Sequence, residues 1–96
     1  MVKGYESECE ICKILANSNR LKILTILKDK SLMVNEIAKK TNLPQSVVSQ
    51  HLSMMKHLGI LKTKKNGNFV NYKIIYPEIL DSFEIIEKIR EKIKLN

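Results

Sequence analysis

TNLPQSVVSQHLSMMKHLGIL, residues Thr41 to Leu61, decides the fold. Thr41-Asn42-Leu43-Pro44 reads as a tight link that stops one helix and starts the next, because proline is tolerated in a first turn, where its missing N–H would have no partner. The helix that follows runs from about Gln45 to His57 and ends at Gly59, which can take the left-handed C-terminal conformation. At about 100° per residue, Val48, Leu52, Met55 and Leu58 gather on one side and read as core. Gln45, Ser46, Ser49, Gln50, Ser53, Lys56 and His57 gather on the other. That second side is hydrogen-bonding throughout and holds no acid, whereas a merely solvated face usually carries Glu beside Lys. Short Ser side chains let a helix sit deep in a groove. Gln can pair bidentately with adenine, and Ser can donate or accept at several base edges. The face is therefore read as one that enters a nucleic-acid groove.

Downstream of Gly59 the apolar period changes from helical to alternating. Ile60 to Lys65 and Asn68 to Ile75 read as two strands joined by Asn66-Gly67, a pair that accepts positive φ at both positions of a two-residue hairpin turn. Lys62, Lys64 and Lys65 lead into Asn66 and Asn68, so a basic tip projects beside the groove-reading helix. This is the plan of a wing that holds backbone phosphates or enters the minor groove. Phe69 and Tyr72 are too few for a base-stacking platform, and they are expected to pack beneath the wing. Pro77 opens a last helix to about Lys94, with Ile79, Phe83, Ile86 and Ile93 on one face.

Upstream, a helix over Asn35 to Lys40 follows an extended stretch from Ser31 to Val34. Before it lies a helix from Asn19 to Lys28, with N-cap chemistry from Asn17 and Ser18. A first helix spans roughly Tyr5 to Ala16. The expected fold is mainly α with a small β-hairpin: a winged helix-turn-helix in the order helix-helix-helix-helix-hairpin-helix, one domain over residues 1–96. A chain this short buries a modest share of its surface. The apolar face of the last helix, with Tyr5, Ile11 and Leu15 of the first, is therefore expected to meet a second copy in a homodimer.

Bulk properties narrow the function. Apolar residues make up 44% of the chain and charged ones 28%, which fits a folded domain and not a disordered tail. Uninterrupted apolar runs last only a few residues, so neither a membrane span nor a signal-peptide core is read, and a cytoplasmic protein without a membrane partner is expected. The net charge is +7, and its placement is more telling than its size. From Ile37 to Pro77 there are seven lysines and no Asp or Glu, while the remaining residues balance. All the excess charge thus lies where the helix and wing lie, as a footprint for phosphates does. An enzyme would need convergent acid, base or nucleophile groups, and no such set is read. An architectural or RNA-binding role accounts for the charge but not for the Ser/Gln face, so double-stranded operator DNA is the expected partner.

Several stretches carry a family resemblance: Leu15 to Leu24, Val34-Asn35-Glu36-Ile37-Ala38, Leu43 to Leu52, and Leu58-Gly59-Ile60-Leu61. With Ser49-Gln50-His51-Leu52 followed by Leu58-Gly59-Ile60-Leu61, the chain resembles the ArsR/SmtB family of bacterial and archaeal winged-helix repressors over nearly its whole length. The resemblance implies a dimer built from the first and last helices, operator binding and release on a chemical signal. Metal sensors of that family often carry Cys-Val-Cys at the start of the third helix, where this chain has Met33-Val34-Asn35. Others place Asp-x-His and a later His on the last helix, where this chain has Asp81-Ser82-Phe83 and no later His. Neither familiar metal site is present, so no cofactor is assigned, and any metal ion would need another site. His51 and His57 do not share a helical face as a ligand pair. His51 reads as a packed, hydrogen-bonded residue and His57 as a phosphate contact.

Cys9-Glu10-Ile11-Cys12 is the remaining constellation with chemistry, its two sulfurs one helical turn apart. Three readings stay open: two small residues in a dimer interface, a thiol pair for a redox-sensing repressor, or half of a metal site shared between subunits. Glu6, Glu8 and Glu10 would raise a thiol pKa, which opposes the second.

Overall fold

One side chain sets the start of α1, the first helix bounded within the described residues, over Ser18–Leu27: Asn17 Oδ1 accepts from the N–H groups of Asn19 (3.0 Å) and Arg20 (3.2 Å). This is the N-cap chemistry expected of Asn17. The computed structural model describes residues 13, 14 and 16–95. The helix expected over Tyr5 to Ala16 therefore falls largely outside the described residues, with Lys13 and Ile14 helical. α1 buries Ile23, Leu24 and Leu27 completely and stops where Asp29 turns to φ 59°.

The stretch after α1 joins the sheet at one residue: Leu32 and Tyr72 exchange backbone hydrogen bonds of 3.1 and 2.7 Å. Helix α2 follows over Val34–Thr41, its start held by the Glu36 carboxylate, which accepts from the Met33 N–H at 3.0 Å. Buried Thr41 is satisfied by donating its hydroxyl to the Ile37 carbonyl at 2.7 Å. The link then turns at Asn42, which is left-handed at φ 58°, and α3 covers Gln45–His57. Pro44 is the N-cap of α3, extended at ψ 141°, one position before the first turn where the sequence reading places it. Past the helix, Gly59 sits at φ 84°, and no atom lies within 4 Å of where its Cβ would be. The demand for glycine there is conformational, not steric.

The hairpin differs from expectation by one residue. Strands β1 (Leu61–Asn66) and β2 (Phe69–Ile74) pair antiparallel with Asn66 opposite Phe69, so the turn is Gly67-Asn68 rather than Asn66-Gly67. Gly67 has φ 65°, while neither Asn66 nor Asn68 is positive. That pattern, glycine first and positive φ only there, belongs to a II′ turn, and it lets Asn66 keep its place in the ladder.

Helix α4 covers Glu78–Leu95. Leu80 enters the core and Ile79 packs against it, together with buried residues of α1, α2, α3 and both strands. Beyond Phe83 the helix leaves the core, and Ile85, Ile86, Ile89 and Ile93 are exposed. Four helices and a two-stranded hairpin among the described residues, in this order, make a winged helix-turn-helix. Among the described residues, no helix is long and apolar enough to cross a membrane.

Candidate nucleic-acid interface

Val48, Leu52 and Met55 are wholly buried, and this fixes the rotation of α3 about its axis. The opposite side must then face outward. Gln45, Ser46, Gln50, Ser53, Lys56 and His57 are exposed, and Ser49 is half-buried at the edge. Leu58 departs from its expected place in the core: it is the C-cap residue, 41% exposed, because the chain swings away toward Gly59 there.

His51 sits at the margin between the two sides. Its Nδ1 accepts from Arg20 Nε at 3.3 Å, and the same guanidinium donates from a second nitrogen to the Lys13 carbonyl at 3.2 Å. Arg20 therefore clamps α3 to α1. Burial first, and the Arg20 charge second, push the His51 pKa below its ordinary value, so the neutral ring is favoured as acceptor. His51 is the packed, hydrogen-bonded residue expected from its position.

Strand pairing divides the lysines of the wing. Side chains of directly paired residues share a face, and faces alternate along each strand. Lys65 lies with Val70 on the face turned to the helices, while Lys62 and Lys64 lie on the outer face with Lys73 and Asn71. Lys73 is absent from the sequence-based site; its signal is its pairing with Lys62, which requires the register. Tyr72 packs against the core as expected, but Phe69 does not. It is 61% exposed, since its pairing with Asn66 puts it on the outer face with Asn71 and Lys73. Asn68, Phe69, Gln45, Met33 and Asn35 line one shallow groove of about 470 Å³, which joins the wing to the starts of α2 and α3.

The charge of this surface is uncompensated. The one ion pair among the described residues is Arg90–Glu87 on α4, at 3.3 Å. No lysine of α3 or of the hairpin is neutralised by a described carboxylate.

Met33 and Asn35, where metal-sensing members of the resembled family carry thiolates, lie at the start of α2; the Asn35 side chain accepts from the Glu36 N–H at 3.0 Å. Asp81 and Phe83 are on α4. No group of three or more His, Cys, Asp or Glu side chains comes together among the described residues. Tyr5, Cys9, Ile11, Cys12 and Leu15 lie outside them. On α4, Ile79 and Phe83 are half-buried within the chain, and Ile86 and Ile93 are exposed. Ile85 and Ile89 extend the same stripe, beyond the residues that the sequence reading assigns to it.

Comparison with known proteins places this arrangement. The profile of the bacterial regulatory protein, arsR family, matches residues 17–63. The transcriptional repressor PagR of Bacillus anthracis is 36% identical over 88 residues, spanning 91% of this chain and 88% of that protein. The transcriptional activator HlyU of Vibrio cholerae serotype O1 is 32% identical over 89 residues, spanning 93% and 82%. Its solved structure superposes with a TM-score of 0.78 at 31% identity, covering 93% of this chain and 97% of that one. The homodimeric winged helix-turn-helix DNA-binding domain of Mb0332 from Mycobacterium bovis shares the fold, with a TM-score of 0.79 at 23% identity over 95% and 84% of the two chains.

Proposed function

The chain belongs to the arsR family of bacterial regulatory proteins and is a DNA-binding regulator of transcription, and from that premise we propose that it works in the cytoplasm as a homodimer that represses by occupying a two-fold operator. The observation that carries this reading is the exposed, acid-free Ser/Gln face of α3, held outward by a fully buried opposite side. Gln45, Ser46, Ser49, Gln50 and Ser53 read base edges in the major groove. Lys56 and His57 hold phosphates beside them, while Lys65, Asn66 and Asn68 bring the wing tip to the adjacent backbone, with Lys62 and Lys64 farther along the wing. The exposed isoleucines of α4 supply the contact between copies, with Phe83 beside them. That contact sets the two recognition helices about 34 Å apart, one turn of DNA.

The named relatives include both a repressor and an activator. Repression is favoured because occupancy of a promoter suffices for it and needs no surface beyond the one described. Nuclease footprinting on the DNA upstream of the protein's own gene, with a promoter-reporter fusion, tests the reading. A discrete protected palindrome and lower reporter output on expression are expected. Diffuse protection would instead make the protein an architectural binder, and raised output would make it an activator.

A further inference from the structure

We propose that the outer face of the wing is a second DNA contact, distinct from the recognition helix and the wing tip, and that it takes the sugar–phosphate backbone of duplex flanking each half-site. The inference rests on the operator-binding reading above.

Pairing of Lys62 with Lys73, Lys64 with Asn71 and Asn66 with Phe69 gathers these six side chains on one face of the hairpin. Every one is basic, amide or aromatic. The Leu32–Tyr72 bridge lays Ser31 alongside, and a cleft of about 530 Å³ opens between Ser31 and the lysines. Lys62 and Lys73 are directly opposite each other, and like charges so placed destabilise a hairpin. A solvated face would answer them with Glu or Asp, yet none lies between Ile37 and Pro77, and no described carboxylate pairs with these lysines. A bound polyanion removes the repulsion that folding leaves in place.

The spacing suits a phosphate backbone. Lys62 and Lys64 are two residues apart on one strand, roughly 6.6–6.8 Å. With Lys73 they lie within a Debye length of about 8 Å and act on an anion together. The ladder begins at Phe69 and Asn66, next to the turn at Gly67-Asn68 that meets the operator, and runs away from it toward Ser31. An acidic protein surface would also satisfy the charge. Flanking duplex is the better fit, because the ladder is continuous with the wing tip and each binding event delivers DNA to that end. To follow the ladder, the flanks must bend toward the protein.

The test compares two operators, one ending at the wing tips and one carrying about one further helical turn (roughly 10 base pairs) on each side. Salt dependence of binding is measured for wild type, Lys73→Gln and Lys73→Arg. Wild type is expected to bind the long operator more tightly and with a steeper salt exponent. Lys73→Gln should lower that exponent by about 1.8, one phosphate per subunit at ~0.9 each. Lys73→Arg should restore it, and all three proteins should bind the short operator alike. Equal wild-type affinity and slope on both lengths would overturn the proposal while leaving the operator reading intact. So would an equal loss by Lys73→Gln on both lengths. Failure of wild type to prefer either operator over random DNA would sink the operator reading itself, and this proposal with it.

Discussion

Replacing Ile89 by Glu should split the dimer without unfolding the subunit. Ile85, Ile86, Ile89 and Ile93 are between 52% and 68% exposed in a single copy, so none of them anchors the core. Glu also has a higher helix propensity than Ile, which leaves the isolated helix no worse off. Burying a whole Ile side chain stabilises by about 1.5–3 kcal/mol. The exposed half of each is worth about half that, and eight such side chains from two copies supply roughly 6–12 kcal/mol. Association costs on the order of 4–15 kcal/mol in lost freedom, so the stripe holds little in reserve. Taking away the share of two isoleucines removes about 1.5–3 kcal/mol, or roughly 10–150-fold in Kd. Carboxylates brought into the same apolar seam add a desolvation cost on top. Sedimentation velocity across a range around 1–50 µM, with a circular-dichroism melt as the folding control, reads the outcome. Wild type should sediment as a dimer, Ile89→Leu likewise, and Ile89→Glu as a folded monomer with weakened operator binding. A monomeric wild type, or a Glu variant that stays dimeric, would refute the assignment of α4 as the contact.

Gln50→Ala should lower discrimination between operator and random DNA by about 1–3 kcal/mol for each bidentate pairing with a base that it removes; equal weakening on both DNAs would show that Gln50 faces backbone. Because His51 has a depressed pKa in the fold, the unfolded chain binds its proton more readily. Its contribution to stability is full above the ordinary value of 6.5 and is lost as pH falls below it. Urea unfolding across that window should show a fall in wild type that flattens in His51→Gln, and parallel curves would refute it. Zinc, cadmium and arsenite should leave operator affinity unchanged in a Cys9→Ser, Cys12→Ser double variant, since Met33, Asn35 and Phe83 offer neither thiolate nor imidazole; release by any of them in that variant would reveal a site elsewhere.

What was legible in the sequence was what local chemistry decides. Asn17, the Thr41-to-Pro44 link and Gly59 each act within a turn of their own position, and the helices they bound fall within a residue or so of expectation. The reading face of α3 was equally plain, since 3.6-residue periodicity places polar and apolar residues on opposite sides wherever the helix sits. The hairpin turn was not, because Asn66-Gly67 and Gly67-Asn68 are both acceptable turns by local preference. Only the cross-strand partners choose between them: Lys62 stands opposite Lys73 in the register observed, whereas a turn at Asn66-Gly67 would set it opposite Asn71.

The other misses share a cause: periodicity shows which residues lie on one face, but not how far the core extends. On α4 the same apolar face runs from half-buried Ile79 and Phe83 to exposed Ile86 and Ile93, and the boundary between them is where the helix outruns the globule. Leu58 is exposed for the matching reason, standing one step past the end of the helix that would have buried it. The Arg20–His51 hydrogen bond joins residues 31 apart in sequence, so no local rule anticipates it. Yet that bond holds the recognition helix against α1, and its second arm ends on the carbonyl of Lys13, the residue next to Cys12. The orientation of the DNA-reading face is therefore tied by one guanidinium to the edge of the segment that carries both cysteines.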